Sequence, residues 1–172
     1  APYVHLTGVN TAIPDGSVSG SAGNPMRLIP LPTEATFEAD AGLLDIDGMI
    51  AFSSTLRKYD SATFRFVHRP SPGFKTVRLV SQGDLRFTPT DAPNGTTVRT
   101  PWDIELLAAQ IYPTTGTRAA VYAGYYNRDY DATLTVGRTT GTVPDAPLSV
   151  LGNLTLAAPI IEQGGIVRAP FG

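Results

Sequence analysis

The chain has 172 residues, 42% hydrophobic and only 16% charged, with a formal net charge of -2 and an isoelectric point near 5.6. Its thirteen Lys and Arg residues are scattered singly, which argues against the clustered cations that nucleic-acid binding requires, and no apolar run approaches the ~20 residues of a membrane-spanning helix. The absence of cysteine removes disulfides, thiolate metal sites and a thiol nucleophile together.

A chain of this length suits one domain whose core needs no covalent staples. The charged fraction lies well below the ~25% of ordinary globular chains, which fits a surface partly covered by neighbours. Two lysines (Lys58, Lys75) against eleven arginines, with fifteen prolines, hint at a GC-rich or thermophilic source. The start at Ala1-Pro2-Tyr3 shows no basic segment leading into an apolar stretch, so no secretory leader is expected within it.

Residues 1–25 are rich in Gly, Ser, Asn and Pro and read as a flexible or partner-ordered arm. From residue 26 to 156 the text is that of a β-barrel domain. Ala62–Arg69 alternates, with Phe64 and Phe66 on one face and Arg65 and Arg69 on the other; Lys75–Val80 and Asp84–Phe87 repeat the pattern. The link Ser81-Gln82-Gly83-Asp84 predicts a tight hairpin, with Gly83 supplying positive φ. Arg118–Ala123 and Tyr130–Val136 read as a further pair, and Leu148–Leu156 as a strand broken at Gly152. Turn-forming clusters at 68–73, 88–97, 113–116 and 137–147 separate the strands, and no fixed-period repeat suggests a solenoid.

One segment departs from this pattern. Thr100-Pro101-Trp102-Asp103 places a capping hydroxyl before a Pro at a first helical position, and Ile104, Leu107, Ala108 and Ile111 follow at helical spacing until Pro113. A short helix from Pro101 to Tyr112 is expected, with a bent strand carrying Trp102, Ile104 and Leu106 on one face as the alternative.

Catalytic chemistry has no visible instrument. Only His5 and His68 could serve a nucleophilic triad, and no Gly-x-Ser-x-Gly elbow occurs. Asp45-Ile46-Asp47-Gly48 starts like a calcium loop but runs into the apolar Met49–Phe52, so an acidic turn is expected. Asp129 and Asp131 flank Tyr130 and would point the same way in a strand, as solvated turn residues. Asn94-Gly95-Thr96 and Asn153-Leu154-Thr155 match the glycosylation sequon. No catalytic, metal-ligating or cofactor-binding residue is assigned, and no cofactor is expected.

The tail, 157–172, is apolar and prolonged by prolines. Exposed to water it would be an aggregation liability, so it is expected to be buried, either across its own domain or, the favoured reading, as an arm exchanged between subunits. Its Pro159, Ile160, Ile161, Ile166, Val167 and Phe171 are the candidate interface residues. They are joined by Tyr125 and Tyr126 from the cluster Tyr122, Tyr125, Tyr126 and Tyr130, since tyrosine suits interfaces.

In size, lack of cysteine, Arg and Pro usage and strand-plus-arm layout, the chain resembles the smaller major capsid protein of tailless, membrane-containing icosahedral Thermus bacteriophages. That resemblance implies a single upright jelly roll, located in the virion and pairing with itself as a homodimer. It also implies a larger major capsid protein as partner and an internal lipid membrane beneath the shell. The rival readings are a carbohydrate-binding or adhesive β-sandwich, with Trp102 and the tyrosines as stacking platforms, and a phage decoration or tail protein.

Overall fold

A computed structural model of the chain describes residues 2–8, 36–52, 55–60, 65–70, 74–91, 95–124 and 131–169. The strands are β1 (Tyr3–Gly8), β2 (Thr36–Ala41), β3 (Leu43–Ala51), β4 (Thr55–Asp60), β5 (Arg65–Pro70), β6 (Thr76–Ser81) and β7 (Asp84–Phe87). They continue as β8 (Thr96–Arg99), β9 (Asp103–Leu107), β10 (Gln110–Pro113), β11 (Arg118–Tyr122), β12 (Thr133–Gly137), β13 (Asn153–Ala157) and β14 (Ile160–Gln163). The all-β class expected from the alternation holds, and the described residues contain no helix.

The pairing is parallel throughout, apart from the antiparallel β4–β5 ribbon. Face one stacks β2, β6, β9, β12 and β14. Face two stacks β1, the first half of β3, β7 and β10, with an isolated bridge from Val167 to Ile111. Face three stacks the end of β3, β8, β11 and β13. The chain visits face one, then two, then three, and begins again: β6–β7–β8, then β9–β10–β11. It therefore winds as a three-faced coil, and the sheet wraps almost closed, like a barrel, around one core.

Each inward column is apolar. On face one Phe37, Val77, Ile104 and Leu134 lie in register, as do Ala39, Leu79, Leu106 and Val136. On face two Leu44, Leu85 and Ile111 align, with Ile46 beside Phe87; on face three Ile50, Val98, Val121 and Leu156 align. Residues of all three faces form one cluster, in which Leu44, Ile46, Leu85, Phe87, Ile104, Ile111 and Leu134 are wholly buried. At ~25 cal/mol per Å² of apolar area, this shared filling is the main force closing the coil.

Corners explain several departures from the sequence reading. β6 and β7 do not form the hairpin expected at Ser81–Asp84, because each pairs with strands one turn away. Gly83 is needed for close approach rather than for positive φ: a Cβ there would sit 2.8 Å from the Gly42 carbonyl oxygen, to which its own N–H donates at 2.7 Å. The same column of corners continues where Ala109 N–H donates to the Gly83 carbonyl at 2.8 Å and Leu43 N–H to Pro2 at 3.0 Å. Arg118–Tyr122 and Thr133–Gly137 likewise lie in different sheets rather than pairing.

The helix over Pro101–Tyr112 is overturned: the segment is β9, a corner at Ala108-Ala109, and β10. The local signals were put to other uses. The Thr100 hydroxyl accepts from the Trp102 N–H at 3.2 Å, turning the corner, and the Asp103 carboxylate accepts from the Thr133 N–H of the next turn at 2.8 Å. Parallel pairing on both sides of β9 outweighs a weak helix propensity, and Ile104 and Leu106 point inward as the bent-strand alternative has it.

A jelly roll is built from antiparallel pairs, and these parallel ladders do not confirm one. In the N-terminal stretch expected as an arm, Tyr3–Gly8 is a strand paired with β3; residues 9–25 lie outside the described residues. In the stretch from 157 on, β14 pairs with β12 and Val167 with Ile111 of the same chain.

Candidate functional site

The outward columns carry the polar chemistry. On face one Glu38, Arg78 and Glu105 share a ladder position, and Arg78 bridges both acids, its Nε donating to Glu105 at 2.8 Å and its Nη1 to Glu38. These acids hold the guanidinium above its ordinary pKa, Glu105 most of all. On face two His5, Asp45, Arg86 and Tyr112 align. Arg86 donates to both carboxylate oxygens of Asp45, at 2.6 and 2.7 Å, and the Tyr3 hydroxyl donates to Asp45 at 3.1 Å. Asp45 is buried and accepts all three. The hydrogen bond to Asp45 raises the Arg86 pKa against the opposing effect of burial. Tyr112 donates to Asp84 at 2.9 Å; burial, then that hydrogen bond, pushes its hydroxyl up to about 12. These are structural ladders, each charged side chain bonded to a partner on the strand beside it.

Asp45 and Asp47 lie within β3 rather than in the acidic turn expected of them. His5 Nε2 is 3.3 Å from Asp47 Oδ2. Asp131 is exposed, while Asp129, Tyr130 and Asn94 and the side chain of His68 lie outside the described residues. Among the described residues no three His, Asp or Glu side chains converge as a metal-ligating group.

Of the candidate interface residues, Pro159, Ile160 and Ile161 are exposed at the start of β14, an edge strand of face one. Ile166 and Val167 are half-buried: the Ile166 carbonyl accepts from Ile111 N–H at 2.9 Å, and Val167 packs against the core. Phe171, Tyr125 and Tyr126 lie outside the described residues. Trp102 and Tyr122 are half-buried.

A larger apolar surface escaped the sequence reading. Among the described residues the exposed large hydrophobics are Tyr3, Val143, Leu148, Val150, Leu151, Ile160 and Ile161, so all but the first fall between 143 and 161. Leu148 is fully exposed, and Leu151 is 73% exposed with φ at 59°, a left-handed conformation that costs a leucine about 1 kcal/mol. The loop is tied to the coil beneath it. The buried Ser149 hydroxyl donates to the Pro113 carbonyl at 2.6 Å, and Gly116 N–H donates to Val150 at 2.9 Å. Gln110 reaches Asp145 at 3.2 Å, and Arg168 reaches Pro144 at 3.1 Å. The available signal was a pair of leucines beside Pro147, in a stretch read as turn and then strand.

No family model, curated protein or solved structure matches the chain. The class defined by fold and surface is a small parallel β-coil that displays apolar side chains on a loop held in place.

Proposed function

We propose that the chain is a structural subunit of a virion that works by self-association, with the exposed apolar side chains of the 143–151 loop and of β14 as its contact. The observation that carries this reading is the display of four large apolar side chains, Val143, Leu148, Val150 and Leu151, on one anchored loop, with Ile160 and Ile161 exposed on the edge strand that follows in the chain. Apolar patches of that kind mark interaction sites, and an edge strand offers unpaired backbone groups to a neighbour. Covering Leu148, Leu151, Ile160 and Ile161 would contribute about 6 kcal/mol, since the two isoleucines are already half covered. Association itself costs about 4–15 kcal/mol, so the contact also needs the β14 backbone. Low overall charge supports the same role.

Within that role a tail or decoration component ranks ahead of a shell subunit. The shell reading leans on a jelly roll, whereas a parallel coil is a one-dimensional stack suited to elongated parts. Light scattering of the purified chain, alone and co-expressed with a larger coat protein, tests the proposal. We expect oligomers from the chain alone, reduced to monomers by Leu148→Ser with Ile160→Ser at unchanged melting temperature. A wild-type chain that stays monomeric at high concentration refutes it.

A further inference from the structure

Face three carries a second surface, separate from the apolar loop. Its outward positions form a grid fixed by register: Arg99 lies beside Tyr122, Thr97 beside Ala120 beside Thr155, and Arg118 beside Asn153. At ~3.3 Å per residue, Arg118 and Tyr122 stand ~13 Å apart along β11, with Ala120 midway. Short side chains in the middle row and long ones in the outer rows leave a trough of about 290 Å³. It runs across the strands, along the coil axis. One wall is Arg118 and Asn153, the other Arg99 and Tyr122, and the floor is Thr97, Ala120 and Thr155.

The chemistry of these walls selects a ligand. Among the described residues that line the trough, the charged ones are arginines, and the rest of its polar groups are hydroxyls and one amide. Arg118, Asn153 and Thr155 are exposed. Guanidinium recognises carboxylate or sulfate through paired hydrogen bonds, while hydroxyl and amide groups exchange hydrogen bonds with sugar hydroxyls. Tyr122 is half-buried, and the Arg99 guanidinium lies over one face of its ring, 5.8 Å from the centre. Selection therefore falls on charge and hydroxyls rather than on aromatic stacking. The trough crosses strands spaced ~4.8 Å apart, so a linear chain can lie along it.

We propose that this trough binds an acidic polysaccharide, an extended chain of sugars bearing carboxylate or sulfate. The proposal does not rest on the assembly reading, and a monomeric chain could carry it. Affinity electrophoresis tests it with polygalacturonate as the carboxylated glycan, heparin as the sulfated one, neutral dextran, and a single-stranded thymidine oligonucleotide. We expect retardation by one or both acidic glycans and none by dextran. The identity of the retarding glycan tells which anion is read. Arg118→Gln should weaken binding about tenfold, the worth of one charge-assisted hydrogen bond. Arg138→Gln, an exposed cation outside the trough, should leave it unchanged. Retardation by dextran, equal loss in both variants, no loss in Arg118→Gln, or equally tight oligonucleotide binding would each overturn the proposal.

Discussion

Two ion-pair ladders on one coil, alike in geometry and unlike in burial, allow a sharp comparison. Arg86→Ala leaves Asp45, whose side chain is 7% exposed, with only the Tyr3 hydroxyl. Removing one partner of a buried pair costs about 3–5 kcal/mol, because the remaining charge is stranded away from water. The Arg86 side chain is 31% exposed, so water can enter the space it vacates, and about 2–3 kcal/mol is the better figure here. Arg78→Ala takes the cation from two carboxylates instead of one, but its side chain is 38% exposed and that of Glu38 45%; exposed pairs contribute below about 1 kcal/mol. Unfolding entropy near 2.1 cal/mol/K per residue gives about 0.36 kcal/mol/K for this chain. The melting point, followed by circular dichroism, should therefore drop about 6–8 °C for Arg86→Ala and less than about 3 °C for Arg78→Ala. Added salt should erase the second loss and spare the first. The double replacement Asp45→Leu with Arg86→Met should recover most of the stability, since two apolar groups strand no charge. Equal losses for the two single variants would refute the argument from burial.

Further outcomes follow from single sites. Gly95→Ala should prevent soluble expression or lower stability by several kcal/mol, because a Cβ there falls 2.2 Å from the Arg118 carbonyl oxygen at a φ of +71°; a melting point equal to the wild type contradicts this. The folded state holds the Tyr112 proton up to about 12, whereas the unfolded chain releases it near 10.0. The resulting stability is full below pH 10 and lost as pH climbs towards 12, so in urea titrations Tyr112→Phe should decline less over that interval. Ser149→Ala should cost about 1–2 kcal/mol by leaving the Pro113 carbonyl unpaired. Hydrogen exchange should then quicken over 143–152 while β9 and β10 stay protected; uniform quickening would mean the loop is not a separate unit.

Much of the strand content was legible. Lys75–Val80, Asp84–Phe87 and Arg118–Ala123 were placed within a residue or two of β6, β7 and β11. Their alternation reports one buried and one solvated face, which antiparallel sheets usually show and parallel sheets usually do not. A coil whose outer surfaces face water has the same signature, so periodicity alone favours the wrong pairing. The repeat was hidden as well. Strands of face one begin at 36, 76, 103, 133 and 160, at intervals made uneven by the β4–β5 ribbon and the 138–152 loop. The inward columns also mix Phe, Val, Ile and Leu, equivalent in a core but not alike as letters. The Pro101–Tyr112 helix failed because Thr100 and Asp103 bond across a corner and to the next turn, contacts that no local window reveals. At the surface, Ile160 and Ile161 were found because a bare apolar tail is conspicuous. Leu148 and Leu151 were not, because their display depends on Ser149 reaching Pro113 across 36 positions of chain.

The stacked corners at Pro2, Gly42, Gly83 and Ala109 make the molecule modular in length. The backbone of each corner bonds to the one above and the one below, with one longer tie from the Thr139 hydroxyl to the Ser81 carbonyl at 2.7 Å, so a segment like that from Thr76 to Trp102, one full turn in the register that sets Thr76 beside Asp103, could be duplicated with little redesign of the rest. Every face would gain a strand and the core another layer. Such a protein can lengthen through repeated copying of a short stretch of gene, with Gly42 and Gly83 as the seams where an added turn would seat.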